Sequence, residues 1–336
     1  MNKLTGKQLG AMLLISDAFA LFCFRGAMSL GTLAGLCAGI ILQFLLTLPL
    51  IYDCGRMGNA VKIFFSLFYI LWGGMLFNMQ WETSREIHIP YEDSGGTAGK
   101  LLISGLIALV CMYISSSGIK AAGRASLIAA AAGGLCLLLA AVSAVRDADW
   151  ENLKRAGSGR TISAEIIRGL SMSGALGGMA VLLPITKGSR LRNVTGYLSA
   201  KLILTAAVVM VSVLVTGGIM EITEYPAVRA AQLSQPFPVQ RIDPLFMIVF
   251  TVYAVFSVGI QAAMSGYIIG GIFPATEKYA GAVSLVLMTG AALLLSGVSG
   301  YSGITAAAVA AAVFAVPVIS CAWKAVRERC LNGYRQ

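Results

Sequence analysis

The sequence has few charged residues and a single histidine. Charged residues make up 12% of its 336 positions and hydrophobic residues 57%. Soluble globular proteins carry roughly 25% charged residues, and one soluble core cannot hide this much apolar surface. The histidine, His88, lies in a polar loop with no nucleophile placed to use it, and no phosphate-binding glycine loop or zinc motif occurs. We therefore predict no enzyme activity, no cofactor and no metal site.

Neither the cysteines nor the positive charge indicates a soluble binding domain. The seven cysteines include no CxxC pair, and most lie inside apolar runs, where a thiol behaves as a small hydrophobic group. The net charge of +10 comes from short basic clusters between long apolar runs, not from a basic domain. We therefore expect a lipid bilayer as the surroundings of the chain and no nucleic-acid partner.

Ten apolar runs follow one another along the chain. A helix of about 20 residues crosses the hydrocarbon core of a membrane, and helices satisfy their own backbone where water is absent. The predicted fold class is an all-α membrane protein, with residues 1–336 forming one integral membrane domain. The predicted spans are 9–24, 33–52, 63–79, 101–115, 126–144, 167–183, 197–219, 245–273, 280–295 and 304–323.

The positions of lysine and arginine predict the orientation. Loops on the side of the N-terminus hold basic clusters, such as Lys3 with Lys7 and Arg190 with Arg192. Loops on the other side contain about as many acidic as basic residues. Because cytoplasmic loops carry the excess of lysine and arginine, we expect both termini to be cytoplasmic.

Two ionisable residues fall inside predicted spans. Asp17 lies near mid-membrane, about 12 Å from the start of its span at 1.5 Å per residue, and ionisable groups at this depth are candidates for a site. It is either a structural carboxylate bonded to a neighbouring helix or an acceptor for a proton or a ligand ammonium group. Lys201 lies close to a basic loop, so we expect its side chain to reach the cytoplasmic interface. Asp17 would then have no basic partner inside the membrane.

The sixth span contains a cluster of small residues that weakens a helix at mid-depth. The cluster consists of Ser171, Ser173, Gly174, Gly177 and Gly178. It indicates either a broken helix that lines a pocket or close helix packing. Five spans precede it, and Asp17 lies in the first span. This arrangement predicts a five-plus-five inverted repeat with broken first and sixth helices. The repeats would cover about 8–144 and 163–295, and the last helix 304–323.

Three short segments carry a family resemblance. Residues 81–85 (WETSR) follow the third span, residues 182–192 combine a Leu-Leu-Pro stop with a basic loop, and residues 225–229 (YPAVR) precede the Arg-Ile-Asp of 241–243. In order and spacing they resemble the spore germination permease family, the integral B subunit of nutrient germinant receptors. That family belongs to the amino acid/polyamine/organocation transporter superfamily. The resemblance covers nearly the whole chain.

The resemblance implies a ten-helix inverted-repeat transporter fold in the cell membrane or inner spore membrane. It also implies a second integral receptor subunit and a lipoprotein subunit as partners, and an amino acid ligand between spans one, three, six and eight. A short amphipathic helix is expected over 224–235, with Val228, Ala231 and Leu233 facing the spans. The candidate ligand-binding residues are Ser16, Asp17, Phe19, Gly74, Ser173, Gly174, Gly177, Gly178 and Tyr253.

Three positions depart from the family's pattern. Residues 17–19 (Asp-Ala-Phe) stand where the family usually has Gly-x-Gly, Gly73 and Gly74 where an aromatic is frequent, and Met179 where an acidic residue is common. Asp17 would repel a ligand carboxylate, so a cationic amine is an alternative to an amino acid. The predicted function is a germinant-receptor subunit that senses an amino acid or related small amine. The alternatives are a proton-coupled secondary transporter of amino acids or amines, and a degenerate subunit that binds nothing.

Overall fold

The protein is built almost entirely from helices. A computed structural model describes residues 4–52, 58–87, 96–146, 148–155, 161–217, 224–233, 243–295, 303–316 and 318–319. The helices are α1 (Gly6–Phe22), α2 (Leu30–Tyr52), α3 (Asn59–Ile87), α4 (Gly96–Ser116), α5 (Ile119–Arg146), α6 (Asn152–Arg155), α7 (Ile162–Ser171), α8 (Gly177–Leu182), α9 (Arg190–Thr216), α10 (Pro226–Leu233), α11 (Asp243–Ile272), α12 (Glu277–Leu294) and α13 (Gly303–Ala310). Two short strands, β1 (Leu4–Thr5) and β2 (Thr186–Lys187), pair in parallel.

Several helices are long and apolar enough to cross a membrane. In the described part of the chain, six helices meet this criterion, and a seventh span results if α7 and the segment Gly174–Ile185 are taken as one bent span. Large apolar side chains, such as those of Ile203 and Leu294, are exposed on the helix surfaces, as lipid contact requires. The chain is therefore a multi-pass all-α membrane protein. The predicted run 101–115 is also helical, and so are residues 9–22 of the run 9–24, although α1 has only 17 residues.

The first helix begins at a capping box and runs without a break. The Thr5 hydroxyl accepts a hydrogen bond from the Gln8 N–H at 3.3 Å, and the Gln8 side chain accepts one from the Thr5 N–H at 3.0 Å. These bonds satisfy two backbone donors at the helix start. The prediction of a broken first helix is wrong, because Ala18 and Phe19 lack the backbone freedom of glycine and α1 continues to Phe22.

The sixth span is broken near the predicted position. A turn and the 3₁₀ segment Gly174–Leu176 separate α7 from α8, and the two halves of the span are bent by 43°. The break is shorter than predicted, because Gly177 and Gly178 already belong to α8. The chain tightens here more than it unwinds, since the Ser173 N–H donates to the Leu170 carbonyl at 3.1 Å and the Leu176 N–H donates to the Ser173 carbonyl at 2.8 Å, both three residues back.

Small residues allow the interior helices to pack closely. α11 packs on α3, α4 and α12, while α1 packs on α5, α9 and α11. A Cβ on Gly266 of α11 would lie 2.9 Å from backbone atoms of Gly281 in α12, so these helices touch backbone to backbone. Beside this contact, the Ser265 hydroxyl lies 2.9 Å from that of Ser66 and 3.0 Å from that of Ser284. These bonds join α3, α11 and α12 inside the membrane.

Polar contacts show which helix ends lie together. The pairing of β1 with β2 joins the start of α1 to the chain after α8. Arg190, at the start of α9, donates to the Ile51 carbonyl near the end of α2 at 3.5 Å. Arg25, just after α1, pairs with Glu224, just before α10. We call these two ends of the bundle the Leu4 end and the Arg25 end.

The short helix predicted before the eighth span is present as α10. Val228 and Ala231 are buried and Arg229 is exposed, in agreement with the amphipathic pattern. Leu233, expected to face the spans, is 41% exposed because it is the last residue of α10. Residues 234–235 of the predicted helix lie outside the described residues. α10 packs mainly on α9 and also contacts α1, α5 and α11.

Candidate functional site

A buried carboxylate, ammonium and phenol meet between α1 and α9. Tyr197 and Lys201 are four residues apart and therefore share one face of α9. The Lys201 Nζ lies 3.1 Å from the Asp17 Oδ2, and both side chains are only 5% exposed. The Tyr197 hydroxyl donates to the same carboxylate oxygen. The predictions that Asp17 has no basic partner in the membrane and that Lys201 reaches the interface are therefore wrong.

Lys201 lies deeper in the bundle than expected because α9 begins before the predicted seventh span. The helix begins at Arg190, so Lys201 lies eleven residues inside it, about 16 Å from its start at 1.5 Å per residue. Asp17 lies the same number of residues after the start of α1 at Gly6. Both helices start at the Leu4 end, so the two side chains reach the same depth in the bundle.

A small cavity adjoins the ion pair. Its walls come from α1, α2, α7 and α9, and they include Asp17, Ile40, Met172 and Lys201. The cavity volume is about 10 Å³, close to the least volume that holds one water molecule. The Asp17 Oδ1 has no hydrogen-bond donor among the described residues. The Asp17 carboxylate can therefore accept a further hydrogen bond, and it adjoins the cavity.

The glycines of the sixth span face side chains of other helices. A Cβ on Gly174 would overlap the Trp72 ring, and one on Gly177 would lie 3.2 Å from the ring of Phe68. A Cβ on Gly178 would lie 2.9 Å from side-chain atoms of α1 and α11. In this conformation the glycines serve close packing, the second of the two interpretations of this segment. The cavity beside Asp17 lies among spans one, two, six and seven, not the predicted one, three, six and eight.

The other small residues among the candidate ligand-binding residues form hydrogen bonds within their own segment or pack on a neighbouring helix. Ser16 donates to the backbone of its own helix at 3.4 Å, and Ser173 donates to the carbonyl of Leu170. A Cβ on Gly74 would lie 2.8 Å from the Cβ of Ala291 in α12. The two serines therefore bond within their own segments, and Gly74 allows α3 to pack closely on α12.

The predicted aromatic residues belong to a ring cluster between α1 and α11. The centroid of the Phe19 ring is 5.4 Å from that of Phe250, and Tyr253 stacks on Phe22 at 6.1 Å. Such contacts stabilise helix packing beyond the burial of area alone. Of the nine predicted site residues, Asp17 is the one that lines the described cavity.

The sequence interpretation missed a second polar cluster, at the Arg25 end. Glu165 and Arg168, expected in or near a loop on that side, are buried on α7 with their charged atoms 3.6 Å apart. Arg168 donates to the Arg25 carbonyl at 2.6 Å, and its guanidinium carbon lies 4.6 Å from the Phe24 ring centroid. The signal available in the sequence was the i, i+3 spacing of the two charges ahead of the small-residue cluster.

Arg25 also connects α10 to the rest of the bundle. Its guanidinium donates to the Glu224 carboxylate at 2.6 and 3.0 Å and lies 3.8 Å from the Glu82 carboxylate. Burial lowers the pKa of Arg25, but the hydrogen bond and charge of Glu224 outweigh this and raise it above its ordinary value. Burial also raises the pKa of the neighbouring Tyr225 to about 12, which keeps the phenol neutral. We call Arg25, Glu82 and Glu224 the latch.

Removal of the Glu224 carboxylate from the latch should lower the stability of the protein only slightly. The Arg25 and Glu224 side chains are 43% and 51% exposed, so we expect Glu224→Gln to cost about 1 kcal/mol or less. The Gly26 N–H would still donate to the Glu224 carbonyl, a bond of 2.7 Å. Thermal unfolding of the purified chain in detergent measures the effect, with Glu82→Gln as the control for the more distant carboxylate. A loss of several kcal/mol would contradict the assignment of the latch as an exposed ion pair.

The site therefore consists of a buried ion pair, an adjoining cavity and a bent span that forms part of the cavity wall. Comparison with known protein families finds no match to the sequence, and comparison with curated proteins finds none either.

Proposed function

We propose that the protein is a spore germination permease-like membrane protein, a germinant-receptor subunit that senses an amino acid or related small amine in a mid-membrane pocket. The observation that carries this proposal is the buried Asp17–Lys201 pair beside a cavity, with Asp17 five residues before the end of α1 and Lys201 near the middle of α9. Removing two charges from water costs several kcal/mol per ion. Membrane proteins bear this cost mainly where ionisable groups serve ligands or ions.

The packing of the helices supports a five-plus-five inverted repeat. Such a repeat relates each span to the one five positions later. Under this relation, the contact of α1 with α9 is the image of that of α2 with α7. In the same way, the contact of α1 with α5 corresponds to the contact of α7 with α13. The contact of α3 with α12 corresponds to the contact of α4 with α11. The proposed repeats cover about 8–144 and 163–295, with the last helix at 304–323.

The order of the helix ends supports the proposed topology. The starts of α1 and α9 and the end of α2 lie at the Leu4 end, while the Arg168 side chain of α7, the first half of the sixth span, reaches the chain just after α1 at the Arg25 end. Ten spans in sequence require this alternation. The basic residues Lys187, Arg190 and Arg192 belong to the Leu4 end, which we therefore propose as the cytoplasmic side that holds both termini. The latch and α10 would then cover the outer side.

A proton-coupled transporter of amino acids or amines is the second candidate. The observation that favours it is again the ion pair, since a carboxylate and an amine that separate during a conformational change can release or accept a proton. The bend between α7 and α8 supplies a place for such a change. In either case the resemblance suggests a second integral receptor subunit and a lipoprotein subunit as partners.

Binding and uptake can be measured on the same preparation. The full chain is purified and placed in liposomes, and the twenty common amino acids and their decarboxylated amines serve as probes. A sensor should bind at least one probe without accumulating it, whereas a transporter should accumulate it and lose accumulation when the proton gradient is collapsed. Liposomes without protein are the control. Absence of binding for every probe would contradict both functions and favour a subunit that has lost its ligand.

A further inference from the structure

We propose that the surface around the start of α1 binds the headgroups of anionic phospholipids. This surface is formed by exposed basic side chains of α1, α5, β2 and α9, which we call the basic rim: Lys7, Lys120, Arg124, Lys187 and Arg192. The inference goes beyond the proposed function, because it assigns a partner to the Leu4 end of the bundle. It would hold equally for a sensor, a transporter or a subunit that has lost its ligand.

Contacts of the backbone and of small residues bring the basic rim together. The parallel pairing of β1 with β2 places Lys187 beside the chain that enters α1. A Cβ on Gly123 of α5 would lie 3.1 Å from the Leu4 side chain, so the start of α5 lies next to the start of α1. On α9, the Asn193 side chain lies against Gly6, where a Cβ would overlap it. The residues of the basic rim therefore lie around the first turn of α1.

The positive charge of the basic rim is not neutralised within the described part of the chain. None of its five side chains forms an ion pair with a carboxylate of the described residues. The first turns of α1, α5 and α9 contain Lys7, Lys120 and Arg192 and no acidic residue. A cation at this position does not stabilise a helix, because the helix dipole places positive partial charge there. An anionic partner would relieve this repulsion.

An apolar face continues from the basic rim along α5. Exposed residues follow Arg124 on the same face of the helix, at intervals of three or four residues: Ile128, Ala131, Leu135, Leu138 and Val142. Leu135 lies about 16 Å along the helix from Arg124 at 1.5 Å per residue. This distance is close to half of the roughly 30 Å hydrocarbon core. A headgroup at Arg124 would therefore place an acyl chain on this face within one leaflet.

The same arrangement occurs on α9, which packs on α5. Arg192 shares one exposed face of α9 with Gly196, Ser199 and Ile203, and the Ile203 side chain is 70% exposed. A phospholipid joins a phosphate to acyl chains and so matches both the charges and the apolar faces below them. A free anion or an acidic protein segment would use the charges alone. We therefore assign the basic rim to a lipid.

The first experiment compares lipids that differ only in headgroup charge. The full chain in an uncharged detergent is titrated with phosphatidylglycerol, with phosphatidylcholine of the same acyl chains, and with inorganic phosphate, and bound molecules are counted by native mass spectrometry. Each basic residue near an anionic lipid surface strengthens attraction about fivefold. We expect phosphatidylglycerol to bind at least about tenfold more tightly than phosphatidylcholine, and inorganic phosphate to bind more weakly than phosphatidylglycerol.

A triple variant tests whether the basic rim is the binding surface. Lys7→Gln, Arg124→Gln and Lys187→Gln together remove three charges and should weaken phosphatidylglycerol binding at least about tenfold. Binding of phosphatidylcholine should stay unchanged. Because the three side chains are exposed, the variant should unfold at the same temperature as the unmodified chain when no lipid is added.

A second triple variant, with Lys62→Gln, Lys278→Gln and Arg229→Gln, is the matched control. It removes the same number of positive charges from α3, α12 and α10, outside the basic rim. The control should bind phosphatidylglycerol as tightly as the unmodified chain. The comparison therefore separates a local surface from an effect of net charge.

Three results would overturn the inference while leaving the proposed function untouched. If both lipids bind equally, or if the rim variant binds phosphatidylglycerol as the unmodified chain does, the basic rim serves another partner, such as an acidic protein segment. Binding of inorganic phosphate as tight as that of phosphatidylglycerol would identify a site for a free anion. Equal losses in the rim variant and its control would show that net charge attracts the lipid.

Discussion

Replacing Asp17 or Lys201 alone should destabilise the protein far more than replacing both. Asp17→Asn leaves a buried ammonium without its carboxylate, and Lys201→Gln leaves a buried carboxylate without its ammonium. Breaking one partner of a buried pair costs about 3–5 kcal/mol. The double variant contains two neutral amides of similar size at the same positions, so it should recover most of the loss. The interaction measured between the two sites should therefore be large and favourable.

Thermal and denaturant unfolding of the four proteins in one detergent measures this interaction as a double-mutant cycle. The exposed pair of the latch provides a matched cycle, with Arg25→Gln and Glu224→Gln, for which an interaction of about 1 kcal/mol or less is expected. Simple additivity at Asp17 and Lys201 would show that the two side chains do not pair in the folded protein. Tyr197→Phe should weaken the site less, since it removes one hydrogen bond and no charge.

The ion pair also shows where inference from the sequence ends. The depth of Asp17 follows from hydropathy, and on that basis alone Asp17→Asn would be expected to leave folding nearly intact. Its partners are far away in the chain, with Tyr197 separated from it by 180 residues. The packing of α1 on α9 brings them together, and no local pattern encodes that contact. The start of α9 at Arg190 then sets the depth of Lys201.

Features encoded within one segment were predicted more successfully. The amphipathic spacing around Val228 predicts α10, and the serines and glycines after α7 predict a break in the sixth span. The break expected in the first helix rested on an analogy between the two halves. It is absent because the local residues, Ala18 and Phe19, are compatible with a continuous helix.

The roles of individual glycines could not be predicted in the same way. Gly74 and Gly178 were expected to border a ligand, and the structure places each against a neighbouring helix. A glycine that faces a pocket and one that permits helix contact look identical in a sequence. The identity of the opposite helix decides between them, and that depends on the whole bundle.

The second large effect is expected at the contact of α11 with α12. In Gly266→Ala the new methyl group would lie 2.9 Å from backbone atoms of Gly281. Backbone cannot rotate away as a side chain can, so the helices must separate, and the 3.0 Å hydrogen bond from Ser284 to Ser265 beside them must lengthen. Overpacking of this kind costs about 1–3 kcal/mol.

Gly271→Ala is the matched control on the same helix. A Cβ there meets nothing within 4 Å, and alanine is favoured over glycine in a helix by about 1 kcal/mol. We therefore expect Gly271→Ala to unfold at the same temperature as the unmodified chain or slightly above it, and Gly266→Ala clearly below it. Because both changes add one methyl group to α11 and alanine is at least as good a helix former as glycine at each position, a lower unfolding temperature for Gly266→Ala reports the contact with α12. Equal unfolding temperatures for the two variants would mean that α11 and α12 do not approach each other backbone to backbone at Gly266.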